Sequence, residues 1–89
     1  MTLDQIDRAA FQSWLATEPS YANVGFARQN CWCPLAIYLK KLTGRRHSVA
    51  PTSVAPAWIV AFITVVDQQN FYGDPITAKD ALNYLANIP

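Results

Sequence analysis

Residues 57–66 of this 89-residue chain, Ala-Trp-Ile-Val-Ala-Phe-Ile-Thr-Val-Val, carry no charge and a single hydroxyl. A small globule cannot leave such a run on its surface, so the rest of the chain has to be arranged around it. The run has about half of the ~20 residues that a membrane-spanning helix needs, and it therefore does not cross a bilayer. Periodicity alone does not separate a buried helix from a buried strand here. The β-branched Ile59, Val60, Ile63, Val65 and Val66 favour strand, whereas the length and Pro56 at the start favour helix. The expectation is a central helix over 56–68.

Other segments carry clearer punctuation. Thr2-Leu3-Asp4-Gln5 has the spacing of a capping box, and Leu3, Ile6, Ala10, Phe11, Trp14 and Leu15 then recur at helical intervals. Pro19 disfavours helical backbone at the residue before it, which predicts a first helix over 3–17. Pro34 suits the first turn of a second helix over 34–43, carrying Leu35, Tyr38, Leu39 and Leu42, and Gly44 suits the left-handed position just past its end. Thr77 can cap a last helix over 77–87, with Asp80 in its first turn. Residues 21–27 and 45–54 are the candidates for a small two-stranded element, with Pro51 confining the second to a sheet edge. The predicted fold is mainly α: one four-helix domain over 1–89.

Composition narrows the classes of function. The chain is 52% hydrophobic and 15% charged, against a usual charged share of about 25%, which excludes a disordered tail and a coiled coil. Seven basic and six acidic residues leave a net charge of +1, too balanced for strong long-range attraction to a polyanion or an anionic membrane. Met1-Thr2-Leu3-Asp4-Gln5 lacks the basic start and apolar run of a signal peptide, so a cytoplasmic location is expected. The three Trp, four Tyr and four Phe are many for a chain of this length. Either the core is rich in rings, or some rings lie outside it.

Four features bear on chemistry. In Cys31-Trp32-Cys33, Cys33 immediately precedes a helix, whose first amides favour a thiolate. The one-residue spacing does not match a redox CxxC motif, and with His47 the two cysteines supply at most three of the four ligands zinc requires, so a structural role is expected. His47 is the only histidine, and pairing with Cys33 would leave it without an orienting partner or an oxyanion loop. Lys40, Lys41, Arg45 and Arg46 place four of the seven cations within seven positions, suited to an acidic protein face or to phosphates. Residues 67–80 bear a loose likeness to an EF-hand loop. With Ile76 at the position-8 aliphatic, Phe71 and Gly73 fall on ligand positions and Asp74 on the glycine position, so a metal-free hairpin is expected.

The pattern of Phe11, Trp14 and Leu15, then Val24-Gly25, then Cys33-Pro34-Leu35-Ala36-x-Tyr38-Leu39, then Gly44, resembles short uncharacterised bacterial reading frames, some of them from cyanobacteria or mobile elements. The resemblance implies a single-domain fold and carries over no activity and no functional residue. The expected function is that of a small non-enzymatic protein, with no cofactor and no metal, that binds a protein partner as an adaptor or inhibitor. The contact residues expected are Lys40, Lys41, Arg45, Arg46, His47, Tyr38 and Trp32. Nucleic-acid binding through the cluster at 40–47, with Tyr38 stacking on bases, is the alternative, and a thiol enzyme at Cys33 comes after it.

Overall fold

The apolar run folds as a helix, and its burial has the helical period. In the computed structural model, which describes residues 5–49 and 55–89, Ile59, Phe62, Ile63 and Val66 point inward, at intervals of three, one and three. Ala57 is exposed, and Val60, Ala61 and Val65 are half-buried. A sequence that reads as apolar on every side thus has one core face and one flank, as a helix packed at the edge of a small domain must.

Six elements follow in chain order: α1 (Arg8–Thr17), β1 (Asn23–Phe26), α2 (Pro34–Thr43), α3 (Ala57–Gln69), β2 (Pro75–Thr77) and α4 (Ala78–Ala86). Helix α2 has the expected bounds, with Pro34 in its first turn and Gly44 beyond it at φ 74°, donating its N–H to Lys40 O at 2.8 Å. Thr77 caps α4, its hydroxyl accepting from the Asp80 N–H at 3.2 Å. Asn70 closes α3, donating to Val66 O at 2.8 Å and to the Tyr84 hydroxyl at 3.2 Å.

Helix α1 starts later than predicted. Asp7 is extended at φ −84°, ψ 124°, and its carboxylate accepts from the Ala9 N–H at 3.3 Å, so Asp7 is the cap and the α-helix begins at Arg8, after a 3-10 residue at Gln5. Thr2 to Asp4 of the expected capping box lie outside the described residues. Ile6 and Phe11 occupy the positions of a hydrophobic staple around this cap, and both are buried. Arg8 is a cation at the wrong end of its own helix dipole, and another helix accounts for it. Its guanidinium donates to the backbone oxygens of Leu85 at 2.7 Å, Ile88 at 3.3 Å and Pro89 at 2.7 Å, satisfying carbonyls at the end of α4.

The strand pair is also a correction. β1 lies within the predicted 21–27, but its antiparallel partner is β2, not a segment of 45–54. Residues 45–49 form no strand, and 50–54 lie outside the described residues. The Arg45 N–H is taken by the Thr43 hydroxyl at 3.2 Å and the Val49 N–H by Asn30 O at 2.9 Å, so the backbone there bonds to a turn and a loop rather than to β1. Within the pair, Asn23 faces Thr77 and Gly25 faces Ile76, which leaves Val24 as an extra residue in β1. The Asn23 side chain accepts from the Gly25 N–H at 2.9 Å and stabilises this bulge.

One buried cluster draws on all four helices and both strands. Its centre is Phe11, whose ring meets Tyr38 at 5.2 Å, Phe62 at 5.4 Å and both Trp14 and Trp58 at 6.0 Å between centroids. Trp58 and Phe62, one turn apart on α3, face this common surface as their spacing predicts.

Candidate functional site

Two of the four cations at 40–46 lie over aromatic rings, Lys41 over Trp14 and Arg46 over Trp32. Lys40 and Lys41 lie in the last turn of α2, where positive charge complements the helix dipole. The Lys41 ammonium lies 5.9 Å from the centre of Trp14, on the side of α1. Past Gly44 the chain reverses and runs beside the loop preceding α2, because Val49 is buried and tied to Asn30. That path lays the Arg46 guanidinium over Trp32 at 4.4 Å from the ring centre, within cation–π range. Arg45 is exposed, and His47 is half-buried with Nε2 2.9 Å from Thr43 Oγ1. The Thr43 hydroxyl also reaches Leu39 O at 2.9 Å and Arg45 O at 3.4 Å, so it ties His47 to the end of α2.

Of the two rings expected at the site, one is there. Trp32 is 39% exposed, held by its N–H to Gln29 O at 3.0 Å and its carbonyl to the Phe26 N–H at 2.8 Å. Tyr38 is 6% exposed, lying between Phe11 and Trp14, so its ring belongs to the core and is not presented to a base.

Two hollows adjoin Trp32. One of about 340 Å³ is lined by Phe26, Gln29, Trp32 and Gly73. The other, of about 490 Å³, shares Gln29 and Trp32 and extends to Arg28, Cys31, Ser48 and Tyr72. The loop that makes their common wall is fixed from below. Arg28 has left-handed backbone at φ 59°, its N–H donates to the Asp67 carboxylate at 2.9 Å, and its Nε donates to Asp67 O at 3.0 Å. A non-glycine residue in that region is uncommon, and here a carboxylate at the end of α3 holds it. Across the hollows the turn 71–74 carries Phe71 at 83% and Tyr72 at 74% exposure. These two rings, with Arg28 and Gln29, are the residues that sequence reasoning missed. The Phe-Tyr-Gly sequence is visible as a turn, but nothing in its spacing says that it stands beside Trp32.

The Cys33 thiol behaves differently from the helix-terminus expectation. Cys33 is buried, and desolvation pushes its pKa from the ordinary 9.0 up to about 11, outweighing the lowering effect of the Ala36 and Leu35 amides. The thiol is therefore protonated at neutral pH, with backbone oxygens of Val49 at 3.7 Å and Asn30 at 3.9 Å as acceptors. A raised thiol pKa favours folding while the group is protonated. That contribution is complete below pH 9 and disappears as pH rises through 11, because the unfolded chain releases the proton first. Between those values the wild type should lose about 1.4 kcal/mol of stability per pH unit from this group, and Cys33→Ala should flatten the slope in urea melts. An identical slope in both proteins would show that Cys33 is not desolvated.

Among the described residues no three His, Cys, Asp or Glu side chains converge to hold a metal. In the 67–80 segment the carboxylates of Asp67 and Asp74 accept the N–H groups of Arg28 and Phe71, both at backbone distances of 2.8–2.9 Å. Among the described residues no helix is long and apolar enough to cross a membrane. No protein-family model, no curated protein and no solved structure matches this chain.

Proposed function

We propose that this chain is a small non-enzymatic binding protein, an adaptor or inhibitor, that docks on an acidic face of a protein partner through Trp32 and Arg46. The observation that carries this reading is the pair itself. An indole left 39% exposed has an arginine over its ring at 4.4 Å, with exposed Arg45 close by in the chain. Trp, Tyr and Arg dominate interface hot spots because each combines large contact area with a directional polar group. The net charge of +1 favours a protein over a polyanion.

The test compares wild type with Trp32→Ala and with a variant in which Lys40, Lys41, Arg45 and Arg46 all become Gln, each immobilised against lysate of the source cells. The retained partner should dissociate faster from Trp32→Ala, with a loss of about 2 kcal/mol or more. From the Gln variant it should associate more slowly, with salt dependence reduced. Nucleic acid is the competing outcome. Binding of a 20-nucleotide single strand (an arbitrary probe length of about 20) at physiological salt, lost in the Gln variant, would replace the protein reading, since exposed rings beside arginines also stack on bases.

A further inference from the structure

We infer that the larger hollow beside Trp32 is a carboxylate subsite, in which Arg28 receives an Asp or Glu side chain of the acidic partner face. The subsite extends the protein-binding reading above and rests on it, with Arg28 as the residue that selects the partner's charge. At about 490 Å³ the hollow has room for one acidic side chain and its flanking backbone, and no carboxylate lines it. Arg28 is the cation in its wall, and Gln29, Asn30 and Ser48 add neutral donors. The exposed Tyr72 ring and Trp32 supply apolar surface for the methylene groups of the incoming residue.

The Arg28 guanidinium is anchored before any ligand arrives. Its Nε donates to Asp67 O at 3.0 Å, in the last turn of α3, where an open carbonyl and the helix dipole favour a cation. The Asp67 carboxylate is turned to the Arg28 backbone, accepting its N–H at 2.9 Å. Among the described residues both Nη groups are therefore without a partner. Two N–H groups on a planar fork match the two oxygens of a carboxylate. A fork already held at Nε also has less side-chain freedom to lose on binding.

A backbone φ of 59° suits Gly or Asn better than Arg, whose Cβ crowds the neighbouring carbonyl there. Glycine would keep the N–H bond to the Asp67 carboxylate and avoid that crowding. What only arginine brings to this position is the fork. One fork in a chain of net charge +1 suits a single carboxylate and not the many contacts of a polyanion.

The test is an NMR titration of the isotope-labelled full chain with two capped peptides, acetyl-Gly-Glu-Glu-Gly-amide and its Gln counterpart. The Glu peptide should move the Arg28 Nε–H and Ser48 amide signals to saturation, and the Gln peptide should bind about tenfold more weakly or less, as loss of a charge-assisted hydrogen bond does. Arg28→Gly should abolish the preference for Glu while its unfolding midpoint stays close to wild type, because relief at φ offsets the lost Nε bond. Arg28→Gln keeps a side chain at the same φ and removes the charge, so the same loss is expected without the backbone change. Lys79→Gln, which removes an exposed cation of α4, should keep the wild-type affinity and so separates the subsite from net charge. Equal affinity for the two peptides, no saturable shift, or a Glu preference undiminished in Arg28→Gln overturns the inference. Inorganic phosphate that binds more tightly than the Glu peptide also overturns it, in favour of a phosphoryl ligand. Partner capture that depends on Trp32 and persists in Arg28→Gly would defeat the subsite and leave the protein-binding reading standing. Glu-selective shifts at Arg28 in a chain that captures no protein would defeat that reading instead.

Discussion

Phe62→Ala should lower the unfolding free energy by about 3–5 kcal/mol, which for a domain of this size is half of its stability or more. The ring is fully buried on α3 and meets Phe11 edge-on, at 5.4 Å and 84° between planes. Truncation removes the transfer free energy of the ring and leaves a cavity beside Phe11, which also supports Tyr38 and Trp58 and so cannot move to fill it. The edge-to-face pair adds about 0.5–1.5 kcal/mol beyond burial. A double-mutant cycle with Phe11→Ala should return a coupling of that size. The midpoint of thermal unfolding should fall by at least about 12 °C. A fall of only a few degrees would mean that the central run is not the core.

Gly25→Ala should cost about 3 kcal/mol, at the upper end of what overpacking does, although it adds a single methyl group. A Cβ at Gly25 would sit 2.6 Å from Pro34 N, 2.8 Å from Pro34 Cδ and 2.9 Å from the Cys33 carbonyl carbon. These are backbone and ring atoms at the start of α2, so no side-chain rotation relieves the clash. Strand β1 has to move away from α2 or the bulge at Val24 has to open. Gly44→Ala is the contrasting variant. Nothing lies within 4 Å of its Cβ, and its φ of 74° makes the cost one of backbone conformation alone, about 1–2 kcal/mol. Equal costs at the two glycines in denaturant melts would show that the approach of β1 to α2 is looser than described.

Helix positions were legible because their signals are local. Pro19, Pro34, Gly44 and Thr77 act through their own φ, their missing or present N–H and their nearest amides, and each marks a boundary that the fold retains. The apolar run was legible as core, and its helical state followed from length and Pro56. The start of α1 was not, because Thr2-Leu3-Asp4-Gln5 and Asp7 both offer caps, and among the described residues the α-helix follows Asp7.

What the tertiary structure alone decided concerns groups far apart in the chain. A three-residue strand, Pro75–Thr77, has too little alternation to be seen, and it becomes a strand only because β1 lies beside it. Arg8 looks like a solvent-facing residue until the end of α4 arrives next to it. Cys33 stands at a helix N-terminus, which lowers a thiol pKa, yet burial by the rest of the core raises it, since removing water from a charge outweighs two amide dipoles. The division of exposed from buried rings follows the same logic. Tyr38 and Trp32 read alike as aromatic residues near a basic cluster, but Phe11 and Trp14 enclose one, and the loop 28–32 holds the other at the surface. Sequence determines which segments coil and where they stop, because those forces act over a few residues. Which polar and aromatic groups meet, and which remain in water, is set by packing between segments that the chain order does not place together.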